Sequence, residues 1–143
     1  MITAIVGAVV LGLVFAVVAA IAKDRGPGAD DVAVSYEWAW DRLDFDSVFT
    51  LSAQELRDGL DRSAFVAAKR AAYEHQHALA GLVARVGIDE FARGAESAVV
   101  LTRIELRDGT VANHQIELTR RNARWEVIVY RLVPTPDDTR TIG

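Results

Sequence analysis

The first charged side chain in this sequence is Lys23, and the stretch before it constrains the chain more than any other feature. From Ile2 to Ala22 run twenty-one uncharged residues, ITAIVGAVVLGLVFAVVAAIA. Coiled into a helix at about 1.5 Å per residue they reach about 31 Å, the thickness of a bilayer's hydrocarbon core. The expectation is one transmembrane helix over 2–22. A cleaved signal peptide competes with it, because Ala20 and Ala22 before Lys23 resemble a small-x-small cleavage site. The segment lacks a basic n-region and exceeds the roughly 7–15 apolar residues of an h-region, which favours the anchor. Ala4, Ala8, Gly12, Ala16 and Ala20 recur every fourth residue, a small-residue stripe that suits close helix association. The expected partners are therefore the bilayer and either a second copy or another membrane protein. Lys23 and Arg25 follow the span, so the positive-inside rule leans the remainder towards the cytoplasm, with Asp24 diluting the bias.

Residues 23–29 (KDRGPGA) read as a linker, 30–133 as one soluble domain, and 134–143 as a flexible tail opened by Pro134 and Pro136. All 16 basic and 20 acidic residues lie after Ala22, giving a net charge of −4. A mildly acidic domain with interspersed signs suits nucleic acid poorly. The absence of cysteine excludes a disulfide framework, a thiolate metal site and a cysteine nucleophile together.

Within the domain the hydrophobic period changes once. Val32, Tyr36, Ala39 and Leu43 recur at helical spacing after an Asp30 N-cap, predicting a helix over 31–43. Ser52-Ala53-Gln54-Glu55 reads as a capping box opening a short second helix that stops near Gly59. Ser63 is placed to cap a third helix over 64–79, with Phe65, Ala68, Ala72 and Leu79 as its buried stripe. After Gly81 the period becomes two, with strands expected over 83–92, 98–107, 110–120 and 124–133. Asp108-Gly109 reads as a two-residue hairpin turn. On the last strand Trp125, Val127, Val129 and Val133 share one side, and Ile128, Tyr130 and Leu132 the other. Both sides are apolar, which predicts a central strand. The expected fold class is α+β: one N-terminal transmembrane helix, then three helices packed on a curved four-stranded antiparallel sheet.

The order α-α-α-β-β-β-β, the aromatic first helix YEWAWDRLDFDSVFTLS, the third helix DRSAFVAAKRAAY and the final strand RWEVIVYRLV together resemble the nuclear transport factor 2-like superfamily. This is the cystatin-like or SnoaL-like cone, and in particular the chain is similar to small membrane-anchored bacterial members. The resemblance covers 30–133. It implies helices capping a concave sheet around a pocket. It also implies a choice between isomerase or dehydratase chemistry and non-catalytic binding or assembly, which the fold alone does not make.

No residue is expected to be catalytic from the sequence itself. His75 and His77 project about 200° apart on a helix, so they cannot share a metal. No phosphate loop, dinucleotide fingerprint or nucleophile elbow is present, and no metal or cofactor is expected. Asp41, Asp44 and Asp46 cluster at a helix end, where local hydrogen bonding accounts for them. Tyr36, Trp40, Tyr73 and Trp125 are the aromatic candidates for a pocket lining. His114 is the polar strand candidate, preferred over Gln115 because its alternating companions Ala112, Ile116 and Leu118 are apolar. A membrane-held, non-catalytic binding or assembly module is the expected function. An isomerase- or dehydratase-type enzyme, or a carrier of a small apolar ligand, is the alternative.

Overall fold

The computed structural model of the chain describes residues 26–134. Three helices, α1 (Ala29–Asp41), α2 (Phe45–Leu51) and α3 (Arg62–Tyr73), precede four strands, β1 (Val83–Arg93), β2 (Ser97–Leu106), β3 (Val111–Arg121) and β4 (Arg124–Val133). Short 3-10 turns lie at Gln54–Leu56 and His77–Leu79. The strands form an antiparallel meander in the order β1-β2-β3-β4.

The membrane-spanning helix in the expected fold class is corrected by this architecture. α1, with 13 residues, reaches about 20 Å, well short of a hydrocarbon core of roughly 30 Å. No helix among the described residues is long and apolar enough to cross a membrane. The segment 2–22 and its stripe of Ala4, Ala8, Gly12, Ala16 and Ala20 lie outside the described residues.

α1 lies against the sheet through Ala29, Val32, Ala33, Tyr36 and Ala39, all buried. They meet Ala98 and Val100 of β2, Ile116 and Leu118 of β3, and Trp125 and Val127 of β4 in one core. Gly28 rather than Asp30 is the N-cap, and the Asp31 carboxylate accepts from the Gly28 amide at 3.3 Å. α3 packs chiefly on α2, so it buries only Phe65 and Val66. That narrow contact leaves Ala68 and Ala72 exposed, and the helix ends six residues before Leu79. Its cap is Asp61, which accepts from Ala64 N at 2.8 Å, two residues before the expected Ser63.

Ser52 opens no helix. Its hydroxyl donates back to the Val48 carbonyl and meets the Tyr36 hydroxyl at 3.0 Å, both buried, so it is unavailable as a cap. The next amide, Ala53 N, donates to Val127 O at 2.6 Å. This clips the segment after α2 onto the outer edge of β4. β4 is thus an edge strand rather than a central one, and the clip covers part of the edge that would otherwise be left unpaired.

A second feature of β4 redirects its side chains. Glu117 pairs with Val129 and Leu118 with Val127, which leaves Ile128 as an extra residue. A bulge of this kind shifts the alternation by one. Trp125 and Val127 face the helices, and after the bulge Tyr130 does so too, opposite buried Ile116. Strict alternation had put Tyr130 on the other side.

The β3–β4 connection holds Asn122 and Ala123 at φ 51° and 60°. Alanine tolerates this left-handed conformation poorly, and glycine adopts it freely. Ala123→Gly should therefore raise stability by about 0.5–1 kcal/mol, the relief of strain outweighing the extra freedom of the unfolded chain. A higher urea midpoint with an unchanged slope would show it.

Candidate functional site

Ala29, Ala33, Glu37 and Asp41 stand four apart on α1, so they form one ridge along the helix. All four are buried. The two alanines let the backbone approach the sheet, and the ridge then delivers two carboxylates into the interior. Asp41 is used structurally. Its side chain accepts from Leu82 N at 2.9 Å and Val83 N at 3.0 Å, and its carbonyl accepts from Gly81 N. It ties the start of β1 to the end of α1.

Glu37, only 3% exposed, is met by three donors from the sheet. Thr102 Oγ1 on β2 donates to Oε1 at 2.9 Å. His114 Nδ1 on β3 lies 2.8 Å from the same oxygen. The Tyr130 hydroxyl on β4 donates to Oε2 at 2.8 Å and lies 3.2 Å from His114 Nδ1. A carboxylate offers only acceptors, so its contact with Nδ1 requires that atom to carry the proton. The tautomer follows: neutral His114 presents an unprotonated Nε2. That atom makes no hydrogen bond among the described residues, and the His114 side chain is 20% exposed.

Register explains the convergence. Thr102 pairs with His114 across β2 and β3, and Ile116 pairs with Tyr130 one row further along. The bulge at Ile128 is therefore what brings Tyr130 to Glu37. Burial first, then the charge and hydrogen bond of Glu37, push the Tyr130 phenol far above its usual range. Burial likewise raises Tyr36, opposed by its hydrogen bond with Ser52.

From Tyr130 an aromatic series leads outward. Tyr36 meets Tyr130 edge-on at 5.1 Å and Trp40 at 6.3 Å. Trp40 continues to Phe45 at 6.1 Å and Tyr73 at 6.2 Å. A cavity of about 240 Å³ opens between α1, α3 and the segment after α2, lined by Tyr36, Trp40, Leu56, Phe65, Lys69 and Tyr130, with Glu55 and Asp58 also on its wall. The wall charges are paired: Lys69 with Asp58 at 3.5 Å, and Glu55 with Arg121 at 2.7 Å. Trp40 Nε1 is buried without a hydrogen-bond partner.

The sequence candidates thus fall in different places. Tyr36 and Trp40 line this cavity, Tyr73 packs behind Trp40, and His114 joins the Glu37 cluster. Trp125 lies elsewhere, beneath Arg93. Gln115 faces the outer side of the sheet beside Val99 and Leu101. Asp44 caps α2 through Ser47, and Asp46 pairs at the surface with Arg62 and Arg70. His75 and His77 are exposed, and no metal-holding group of three acidic, histidine or cysteine side chains occurs among the described residues. Glu37, Thr102 and Tyr130 had not been singled out. The four-residue row with Ala29 and Ala33 is the signal, not used above, that would have singled out Glu37.

No protein-family model matches the sequence, and no curated protein matches it. Solved structures do. The chain is similar to a proposed NTF2-like transpeptidase from Campylobacter jejuni, with a TM-score of 0.53 and 16% identity over 72% of this chain and 99% of that one. It is also similar to a SEC-C motif-containing protein from Rhodopseudomonas palustris, with a TM-score of 0.50 and 17% identity over 77% of this chain and 84% of that one. At such identities the likeness concerns the fold. The fold is nuclear transport factor 2-like, as the order of elements implied.

Two expectations follow from the cluster. Glu37→Ala strands three donors, and should cost about 3–5 kcal/mol in urea unfolding, with Glu37→Gln costing less because it keeps one acceptor oxygen. The raised phenols set the second. Unfolded tyrosines ionise near pH 10 while Tyr36 and Tyr130 stay neutral in the fold, so above that pH the native state holds more protons. Their stabilisation is full below about pH 10 and declines above it by up to about 1.4 kcal/mol per pH unit for each phenol. Comparing urea midpoints at about pH 9 and about pH 11, Tyr130→Phe should show a smaller loss than the unmodified chain.

Proposed function

We propose that this chain is a small-molecule-binding domain whose cone-shaped cavity presents to its ligand a tyrosine held by a buried carboxylate and histidine. One observation supports this above others. Tyr130 stands on the cavity wall and is hydrogen-bonded to a buried carboxylate that also orients a histidine. At about 240 Å³ the cavity is below the roughly 300–1,000 Å³ of drug-sized sites, which suits a compact ligand.

In this reading Tyr130 is the group the ligand meets, and His114, which is not on the cavity wall, shares the Glu37 carboxylate behind it through Nδ1–H. Tyr130 remains protonated with its one O–H held by Glu37, so its oxygen accepts a hydrogen bond from a donor of the ligand. Glu37, out of contact with the ligand, is the positioning residue. Native mass spectrometry of the full chain purified from its own host tests the binding step. A reproducible adduct, lost in Tyr130→Phe and His114→Ala while both variants stay folded, is the expected result. A bare mass for the unmodified chain would defeat the reading.

The outer face of the sheet supports a second reading, a non-catalytic assembly module. Val99, Leu101, Gln115 and Val133 line a groove there, with Val99 39% exposed and Phe91 beside it 44% exposed. If this face joins copies of the chain, light scattering should give a dimer mass that Val99→Arg reduces to a monomer.

A further inference from the structure

One wall of the cone cavity is neither α-helix nor strand. Tyr36 and Trp40 stand on α1, Phe65 and Lys69 on α3, and Tyr130 on β4, while Glu55, Leu56 and Asp58 come from the segment between α2 and α3. That segment is fixed at both ends. Ala53 N is bonded to Val127 O before it, and Asp61 caps α3 after it. In between, among the described residues, the backbone of 54–60 bonds only locally. Leu56 N, Arg57 N and Leu60 N donate to Ala53 O, Gln54 O and Arg57 O at 3.0, 3.2 and 3.0 Å. Asp58 and Gly59 then lie in the left-handed region, at φ 58° and 69°, which turns the backbone sharply before α3.

We propose that residues 54–60 are a gate over this cavity, latched shut by two ion pairs. The Glu55 carboxylate is held by Arg121 of β3, whose Nη1 donates to Oε2 at 2.9 Å and whose Nη2 lies 2.7 Å from Oε1. Asp58 lies 3.5 Å from Lys69 Nζ on α3. One latch thus ties the segment to the sheet and the other to a helix. Glu55, Asp58 and Arg121 are exposed, and pairs in contact with water are weak and screened by salt. Besides them the segment is held by Leu56, packed at the edge of the core, and by Arg57. Arg57 Nε donates to Phe49 O at 3.1 Å, with the guanidinium 4.3 Å over the Phe49 ring, and this hold on the preceding helix is the pivot. Opening takes three residues of the wall away and leaves every strand pairing in place, which makes it a local event rather than a global one. The gate matters to function only where the cavity takes a ligand, as proposed above. Its opening is measured without one, so the two readings can fail separately.

The chain has no cysteine, so Leu56→Cys in the full chain supplies its one thiol. The rate at which iodoacetamide, small and uncharged, labels that thiol reports the opening of the segment. Labelling slower than at Ser35→Cys, an exposed position of α1, is expected. Arg121→Gln and Lys69→Gln, added singly to Leu56→Cys, should each speed it by about two- to fivefold. Both remove a positive charge, which by itself slows the reaction of a thiol, so a gain reads opening. Added salt should speed labelling while both pairs are intact and do little once both are removed. Arg103→Gln, which breaks a pair with Glu105 on β2, should change nothing. Where Leu56→Cys does not fold, hydrogen exchange reads the same event in the cysteine-free chain. The Leu56, Arg57 and Leu60 amides should then exchange faster in Arg121→Gln and Lys69→Gln, with β2 and β3 amides unchanged. Labelling at the Ser35→Cys rate, or rates indifferent to both Arg121→Gln and Lys69→Gln, would overturn the gate. So would exchange of the segment only in step with β2 and β3, the mark of opening by global unfolding.

Discussion

A carboxylate withdrawn from water has to be met by donors, and the interior of this domain is arranged around that requirement. Glu37 sits 3% exposed against the middle of the sheet, so each strand beneath it must supply something specific. β2 contributes a threonine hydroxyl where an aliphatic residue would pack as well. β3 contributes a histidine in a row otherwise made of Ala112, Ile116 and Leu118. β4 contributes a tyrosine that reaches the inner face only through a bulge. A buried charge left partly satisfied costs several kcal/mol, so these features are interdependent. If Tyr130 turned outward, Glu37 would lose one donor and the cavity part of its wall.

The same helix that carries Glu37 also sets the spacing of the layers. Ala29 and Ala33 keep α1 close to the sheet, and Asp41 at its end fastens the start of β1 by two backbone amides. Tyr36 turns the other way, hydrogen-bonds Ser52 and opens the aromatic series to Trp40, Phe45 and Tyr73. One helix thus joins a polar cluster on the sheet to an apolar wall shared with α2 and α3. The Glu37 cluster and the cavity meet at Tyr130.

Much of the architecture was legible from local pattern. The change of period after Gly81, the Asp108-Gly109 turn and the alternation of Val100, Thr102, Ile104 with His114, Ile116, Leu118 placed four strands within a residue or two of their observed ends. Antiparallel neighbours joined by short turns need no long-range information. Misread positions were those whose partners are distant. Ser52 has the local pattern of a helix cap, but its hydroxyl is spent on Val48 and Tyr36. α3 has helical periodicity to Leu79 but only α2 to pack on, so it stops at Tyr73. β4 is apolar on both sides because its bulge sends side chains inward from both phases of the alternation, and not because it is central.

By itself, then, the sequence determined the run of helices before four antiparallel strands, the Asp108-Gly109 turn, the absence of thiol groups and the inward phase of His114 against Gln115. Each rests on a period, a composition or a near neighbour. Only the tertiary structure decided that Glu37 is buried, that Thr102, His114 and Tyr130 converge on it, and that Trp125 belongs with Arg93 and Arg120 rather than with Tyr36 and Trp40. Those contacts join residues far apart in the chain. A glutamate on a helix reads as solvated until the surface beneath it is known, and that surface is built from strands whose register a single bulged residue can shift.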